Sequence, residues 1–269
     1  MSSAASTTSS VPRQGTLAVR VLMLDDTVAT LYVSYKAIGE ELYDEVIRHL
    51  QLIESDYFDL EFTDSQGCQC WLNREKLILR QVTSASQLFF KFSVKFYTPD
   101  PTLLEDEYTR YLYALQIKRD LASGQLPCNA NTAALLSSYI AQAEMGDWQE
   151  EFGDSHAYLS GYRFVVQQTD DFLRKVAQYH RTHVGMPPRE ADFHLLDTAR
   201  KVEMYGVRLH AARDHEDVPL SLAVVHLGII VFQHQTKINT FSWAKVRKLS
   251  FKRKKFLIKL HPDGCVSYL

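Results

Sequence analysis

The strongest candidate for a binding chemistry is a run of basic residues late in the sequence. Residues 245–259 contain eight Lys or Arg side chains and no Asp or Glu. The chain has 30 basic and 32 acidic residues and a net charge of −2, so with these eight charges set aside the rest carries −10. Each cation near an anionic lipid surface contributes about 1 kcal/mol of attraction. A cluster of this size therefore predicts an anion-binding surface, the alternative being an ordinary solvated face of a sheet.

Nucleic acid could supply the same anions, but other sequence signals of such binding are missing. Neither a groove-binding helix module nor an aromatic RNA-stacking motif accompanies the basic run. The sequence also lacks common motifs for nucleotide and hydrolytic chemistry, including G-x-G-x-x-G, the Walker-type glycine loop, G-x-S-x-G and H-E-x-x-H. We therefore predict no nucleic acid partner, no enzymatic activity and no cofactor.

Four residues could in principle share a metal ion. His180 and His183 lie three apart on a predicted helix, with Asp192 and His194 nearby in the sequence. No cysteine or carboxylate spacing completes a ligand set. We favour a structural role, because histidines at a helix C-terminus interact favourably with its dipole and its free carbonyls.

The cysteines and the hydropathy pattern indicate a reducing compartment. Four cysteines in so long a chain do not form a disulfide scaffold, and Cys68 and Cys70, two apart on a predicted strand, are expected to serve ordinary packing. No run of 18 apolar residues is present, and the Ser/Thr-rich residues 1–16 are expected to form a disordered tail with no signal peptide.

Residues 17–98 alternate mainly with period two and predict a small sheet with one helix. A helix is expected from Gly39, with an apolar stripe. Residues 58–62 predict a strand, and in the last strand Phe90, Phe92, Val94 and Phe96 are expected to face one way. This order is typical of a ubiquitin-like β-grasp with one covered sheet face.

Residues 99–208 change to a period of 3.6. Helices are predicted at about residues 102–123, 132–145, 170–183 and 189–205, the first ending before Gly124. Four helices with short connections form a bundle. Residues 209–269 then predict a meander of about five short strands between residues 220 and 260, with a sixth at about Cys265.

Short motifs in a fixed order connect these three parts to a known family. They are residues 22–27 (LMLDDT), 56–62 (DYFDLEF), 71–72 (WL), 94–101 (VKFYTPDP), 109–111 (TRY), 126–128 (LPC), 143–148 (AEMGDW), 203–207 (EMYGV), 238–243 (INTFSW) and 248–254 (KLSFKRK). The chain resembles a FERM domain of the ezrin, radixin and moesin superfamily. It is most similar to the FERM–RhoGEF–pleckstrin proteins and their FERM-only relatives.

The resemblance implies an α+β multi-lobe fold. A ubiquitin-like lobe is expected at residues 17–98, an acyl-CoA-binding-protein-like helical bundle at 99–208, and an incomplete pleckstrin or phosphotyrosine-binding-like β lobe at 209–269. The family usually has glycine where this chain has Asp59, which we expect to tolerate the left-handed turn. The family's third lobe continues into a closing helix, so we expect apolar sheet surface to be exposed here, with loss of peptide binding in the groove beside that helix.

The resemblance also implies a function. We expect a non-catalytic membrane–cytoskeleton adaptor in the cytoplasm, peripheral at the plasma membrane and cortical cytoskeleton. Its partners would be anionic phospholipids, cytoplasmic tails of transmembrane proteins and actin-linked cytoskeletal proteins. The alternative is a regulatory N-terminal part or short isoform of a Rho-family guanine-nucleotide exchange factor. The candidate headgroup contacts are Arg247, Lys248, Lys252, Arg253, Lys254 and Lys255.

Overall fold

The structure is a computed structural model that describes residues 15–82, 88–153, 155–234, 236–253, 255–261 and 267–268. These residues fold into a mixed sheet with one long helix, then a four-helix bundle, then two antiparallel sheets. Most of the tail predicted at residues 1–16 lies outside the described residues, and Thr16 already belongs to the first strand.

The first lobe is a five-stranded sheet with a helix packed on one face. Its elements are β1 (Thr16–Leu22), β2 (Val28–Ser34), α1 (Gly39–Leu50), β3 (Phe58–Thr63), β4 (Gln69–Trp71) and β5 (Phe89–Val94). The strand order is β2-β1-β5-β3-β4, in which the central pair β1 and β5 is parallel. The predicted apolar stripe of α1 is present, since Leu42 and Val46 are fully buried in the core that it shares with the sheet.

Strand β5 follows the predicted alternation except at its end. Phe90, Phe92 and Val94 are fully buried, but Phe96 lies beyond the strand and is 59% exposed, so the prediction that it shares their face is wrong. The expectation of one covered sheet face is also wrong here. Ser93 and its cross-strand partner Asp59 lie on the opposite face and are each only 1% exposed.

Asp59 does not form the left-handed turn expected for it. It lies within β3 and is absent from the positive-φ positions of the described chain. Its carboxylate accepts a hydrogen bond from Lys95 Nζ at 2.6 Å, lies 3.6 Å from Arg74 Nη2 and also accepts from the Leu60 N–H at 2.9 Å. At this position the chain therefore has no left-handed turn. It has a buried carboxylate whose charge is neutralised by two neighbouring cations.

The second lobe is the predicted helical bundle, with shifted helix ends. Its helices are α2 (Glu107–Ser123), α3 (Ala130–Met145), α4 (Asp170–His180) and α5 (Pro188–Ala199). The predicted start of α2 at residue 102 is wrong, because Pro101–Leu103 forms a separate 3₁₀ turn and Asp106 caps α2 by accepting from the Tyr108 N–H. The predicted end of α5 at residue 205 is also wrong, since α5 ends at Ala199. Gly124 takes the predicted left-handed position after α2.

The third lobe contains two sheets, so the single predicted meander is wrong. One sheet has the order β6 (His210–Arg213), β7 (Pro219–Val225), β8 (Gly228–Gln233) and β9 (Thr236–Ser242). The other has the order β10 (Val246–Lys252), β11 (Lys255–Leu260) and β12 (Ser267–Tyr268). A 3₁₀ turn at Trp243–Lys245 redirects the chain between them. Strand β6 was not predicted, because its sequence HAAR contains no β-branched or aromatic residue. Cys265, where a sixth strand was expected, lies outside the described residues.

The first two lobes share one large apolar core, and the third lobe has only small ones. One continuous cluster of buried side chains runs through the first and second lobes. The third lobe has two small clusters. One joins Ile229 and Phe241 of its first sheet to Ile258 of its second, and the other packs Val207 of the connection from the second lobe against that first sheet. The third lobe therefore has an apolar core separate from the one shared by the other two.

The chain enters the third lobe through a close contact at Gly206. This residue has φ +67°, and a Cβ atom added to it would lie 2.7 Å from the Cβ and Cγ atoms of Tyr97. The Tyr97 ring packs edge-on against Tyr205 at 5.2 Å, and its hydroxyl donates to Asp120 Oδ2 at 2.7 Å. Tyr97 therefore has little room to move away from an added side chain.

We expect Gly206→Ala to lower the free energy of unfolding by about 2–4 kcal/mol, from left-handed strain plus overpacking against Tyr97. Urea denaturation of the full chain measures this change. The matched control is Gly161→Ala, where an added Cβ meets no atom within 4 Å, and we expect a change within about 0.5 kcal/mol. Equal effects of the two substitutions would contradict a tight junction at Gly206.

Candidate functional site

The predicted basic run forms a β-hairpin in the third lobe. Strands β10 and β11 pair antiparallel, with Lys252 opposite Lys255 at the closed end. Arg253 follows β10 with φ +56°, in the left-handed region, and Lys254 lies outside the described residues. The structure thus brings five of the six candidate headgroup contacts onto one hairpin, namely Arg247, Lys248, Lys252, Arg253 and Lys255.

The register of the hairpin places four lysines on one face. Lys248 is opposite Lys259 and Lys252 is opposite Lys255, with the pair Ser250 and Leu257 between them. Residues directly opposite one another, and residues two apart along a strand, project from the same face of a sheet. All four lysines are exposed. We call this set, Lys248, Lys252, Lys255 and Lys259, the lysine face. Lys259 belongs to the basic run but was not among the predicted headgroup contacts. The strand register adds it to the lysine face, because it lies opposite Lys248.

The other face of the hairpin is apolar and holds it to the rest of the lobe. Ile258 is fully buried against Leu220, Ile229, Val231 and Phe241. Towards the tip, Phe251 stacks on its cross-strand partner Phe256 with ring centroids 5.0 Å apart, yet it remains 79% exposed. Other large apolar side chains of the lobe are also exposed: Val224, Leu227, Ile238, Trp243 and Leu249.

The charges of the lysine face are not balanced by neighbouring acids. Within the described part of the chain, no side chain of the lysine face forms an ion pair with Asp or Glu, whereas many other cations do, including Arg208 with Glu61 and Lys201 with Asp197. Like charges directly opposite each other destabilise a sheet. An anion bound over this face would attract all four ammonium groups and so offset the repulsion within the two lysine pairs.

His180 and His183 make hydrogen bonds and ring contacts within the helical lobe. The imidazole of His183 lies 2.9 Å from Ser138 Oγ through Nε2 and stacks on Tyr139 at 4.6 Å. His180 bonds to the Gly146 carbonyl through Nε2 at 2.9 Å and to the Tyr158 hydroxyl through Nδ1 at 3.1 Å. Among the described residues, no group of three or more His, Cys, Asp or Glu side chains is arranged to hold a metal ion.

Cys70 does not have the environment of a reactive thiol. Cys68 is exposed and precedes β4, while Cys70 lies within it and is partly buried. Burial raises the pKa of the Cys70 thiol, and the nearby Asp64 carboxylate raises it further. A reactive cysteine requires the opposite shift.

Comparison with known proteins identifies the family. The FERM N-terminal domain matches residues 21–84, the FERM central domain residues 99–210 and the FERM C-terminal PH-like domain residues 214–267. The chain therefore belongs to the FERM domain family. A solved FERM and C-terminal domain complex of Drosophila Merlin superimposes with a TM-score of 0.82, at 27% identity over 94% of this chain and 88% of that one. This match confirms the predicted multi-lobe fold.

Two curated relatives are similar to almost the whole chain. FERM, ARHGEF and pleckstrin domain-containing protein 1 of Gallus gallus is 49% identical over 92% of this chain and 23% of its own length. FERM domain-containing protein 7 of Homo sapiens is 47% identical over 92% of this chain and 34% of its own length. The chain thus spans between about a quarter and a third of these relatives. None of the helices in the described ranges combines the length and hydropathy needed to cross a bilayer.

The lysine face yields a prediction about stability. Lys252→Glu places opposite charges across the strands from Lys255, and we expect the free energy of unfolding to rise by about 0.2–1 kcal/mol. Lys237→Glu is the control, because this exposed lysine on β9 lies opposite Phe232. Urea denaturation at low salt compares the two variants. A loss of stability in Lys252→Glu, absent from Lys237→Glu, would mean that the lysine pairs do not repel.

The buried His183 yields a prediction about pH. Burial first, and then the charges of His180 and His194, lower its pKa from 6.5 to about 4. Below pH 6.5 the unfolded chain binds the proton more readily, so this group's contribution to stability is present above that pH and is lost as the pH falls towards 4. Between pH 7 and pH 5 we expect this to cost about 2 kcal/mol.

Urea denaturation of wild type and His183→Gln at both pH values isolates this contribution. We expect the variant to lose about 2 kcal/mol less than wild type between pH 7 and pH 5. His215→Gln, at an exposed histidine, is the control and should keep the wild-type pH dependence. Parallel pH profiles for wild type and His183→Gln would refute the assignment.

Proposed function

We propose that this chain acts as a non-catalytic membrane–cytoskeleton adaptor, and that the hairpin of β10 and β11 binds anionic phospholipid headgroups. The observation that carries the proposal is the lysine face, in which four exposed lysines lie together without an acidic partner among the described residues. Arg247 and Arg253 add charge at the bulge and at the turn of the same hairpin. The proposed location is the cytoplasm, at the plasma membrane and its cortical cytoskeleton.

The size of the electrostatic attraction suits reversible binding. With about 1 kcal/mol for each cation near an anionic leaflet, the four lysines and two arginines together contribute about 6 kcal/mol. This attraction is screened by salt, because the Debye length falls from about 10 Å at 0.1 M to about 3 Å at 1 M. The exposed Phe251 ring lies on the opposite face of the hairpin, so this attraction depends on charge alone.

Adaptor function also requires protein partners. We propose cytoplasmic tails of transmembrane proteins and actin-linked cytoskeletal proteins, on the basis of membership in the FERM family. The alternative role is the regulatory N-terminal part of a Rho-family exchange factor. It is supported by similarity to FERM, ARHGEF and pleckstrin domain-containing proteins, of whose length the chain spans 23%. A longer transcript from the same locus that encodes an exchange domain would establish that alternative.

Liposome co-sedimentation tests the lipid proposal. The double variant Lys248→Glu with Lys252→Glu removes two cations and leaves opposite-charge pairs across the hairpin, so the fold is retained. For vesicles containing phosphoinositide we expect affinity to fall at least roughly thirtyfold at about 0.1 M salt, and the wild-type affinity to fall steeply at about 1 M salt. Neutral phosphatidylcholine vesicles should bind neither protein.

The control has the same change in net charge elsewhere on the molecule. Lys36→Glu with Lys76→Glu reverses two exposed lysines of the first lobe and should leave lipid binding near the wild-type level. The proposal is wrong if both double variants weaken binding equally, or if reversing Lys252, Arg253, Lys254 and Lys255 together leaves binding unchanged.

A further inference from the structure

A small pocket in the helical lobe is independent of the lysine face. It lies among α2, α3 and α5 and has a volume of about 80 Å³. Six of its lining residues are apolar: Ala114, Leu115, Ile140, Ala143, Pro188 and Leu195. A cavity of this size has room for two or three waters, or for a few methylene groups.

One carboxyl group in this pocket has no partner. Asp192 of α5 lines the pocket and is only 9% exposed, and no described residue gives it a hydrogen bond or a salt bridge. Burial, followed by the nearby carboxylates of Glu144 and Glu107, raises its pKa to about 7. A carboxyl group placed among apolar side chains without a hydrogen-bond donor from the protein is costly to ionise.

The surroundings of Asp192 favour a cation as the missing partner. Lys118 lines the same pocket, but its Nζ donates to Glu144 Oε1 and leaves Asp192 unpaired. The Asp192 carboxyl group lies within an apolar lining with the acidic Glu144 beside it, so a bound cation would stabilise its ionised form. The described residues offer no metal-binding group of three or more His, Cys, Asp or Glu side chains. An organic cation with an aliphatic stem satisfies both the charge and the lining.

The pocket opens towards a larger cleft between the first and second lobes. Four residues, Tyr111, Leu115, Lys118 and Glu144, line both spaces. The cleft has a volume of about 630 Å³ and is bounded on the side of the first lobe by Asp25 and Asp26. A chain lying in the cleft could therefore extend one side chain into the pocket.

We infer that the Asp192 pocket binds an alkylammonium group, with the methylenes against the apolar lining and the ammonium at the Asp192 carboxylate. The group is either the end of a lysine side chain on a partner segment lying in the cleft, or a free primary amine. Both sources have the same chemistry at Asp192 and differ in what they contact outside the pocket.

NMR titration of the full chain with n-propylammonium and with its neutral analogue 1-propanol tests the inference. We expect n-propylammonium to shift the methyl resonances of Ala114 and Ala143 saturably, with an affinity at least tenfold above that of 1-propanol. Equal affinities would reduce the pocket to an apolar cavity, and unshifted methyl resonances would mean that it holds only water. Either result overturns the inference without the need for any variant.

A matched pair of variants locates the charge. Asp192→Asn keeps the shape of the side chain and should remove the preference for the ammonium. Asp197→Asn, on the same helix but paired with Arg200 and Lys201 towards solvent, should retain it. An unchanged preference in Asp192→Asn would exclude Asp192 as the partner.

A peptide titration separates the two sources. If a partner segment supplies the group, acetyl-Gly-Lys-Gly amide should bind more tightly than n-propylammonium, and should also shift resonances of the cleft residues Arg119 and Arg163. The same peptide with norleucine in place of lysine should not bind. If n-propylammonium binds and the lysine peptide does not, a free amine is the occupant.

Discussion

An arginine side chain anchors the connection into the third lobe on the first lobe. Arg208, in the connection between α5 and β6, donates to Glu61 Oε2 at 2.6 Å and to the Val94 carbonyl at 3.3 Å, and its guanidinium lies 4.6 Å from the centre of the Trp71 ring. All three partners belong to the first lobe. Among the described residues the third lobe shares no buried apolar cluster with the first lobe, so these directional contacts supply that link, while Val207 packs the connection onto the third lobe. Because the planar guanidinium both donates hydrogen bonds and stacks on a ring, it fixes the orientation of the connection as well as its distance from the first lobe.

The same contact explains the charged side chains buried on the outer face of the first sheet. Glu61 accepts from Ser93 Oγ at 2.8 Å as well as from Arg208, and Asp59, one pleat away, is neutralised by Lys95 and Arg74. Charges removed from water require partners of this kind, and breaking such a pair costs far more than the pair contributes in net stability. The sheet is therefore covered on one face by α1 and on part of the other by a polar layer that receives the connection to the third lobe.

The parts of the fold that periodicity controls were predictable, and the parts that distant contacts control were not. The stripe of α1 and the alternation of β5 follow from local patterns. The start of α2 depends on which of several aspartates becomes the cap, and the strand conformation of Asp59 depends on Lys95, 36 positions away in the sequence. The basic hairpin was visible as a run of charge, although the pairing that adds Lys259 required the register. The Asp192 pocket was invisible, because it requires three helices from separate parts of the sequence to meet.

The lysine face and Asp192 are alike in physical terms. Each places charge where the fold alone does not compensate it: lysines facing lysines across two strands, and a carboxyl group in an apolar pocket. Neither arrangement improves the stability of the isolated chain. Opposite charges across the hairpin would attract instead of repel, and an apolar residue at position 192 would avoid the cost of removing a carboxyl group from water. Elsewhere this protein pairs its partly buried charges closely, as at Asp59 and Glu61. The contrast within one molecule is the physical reason for regarding the two unpaired places as sites where a ligand supplies the missing charge.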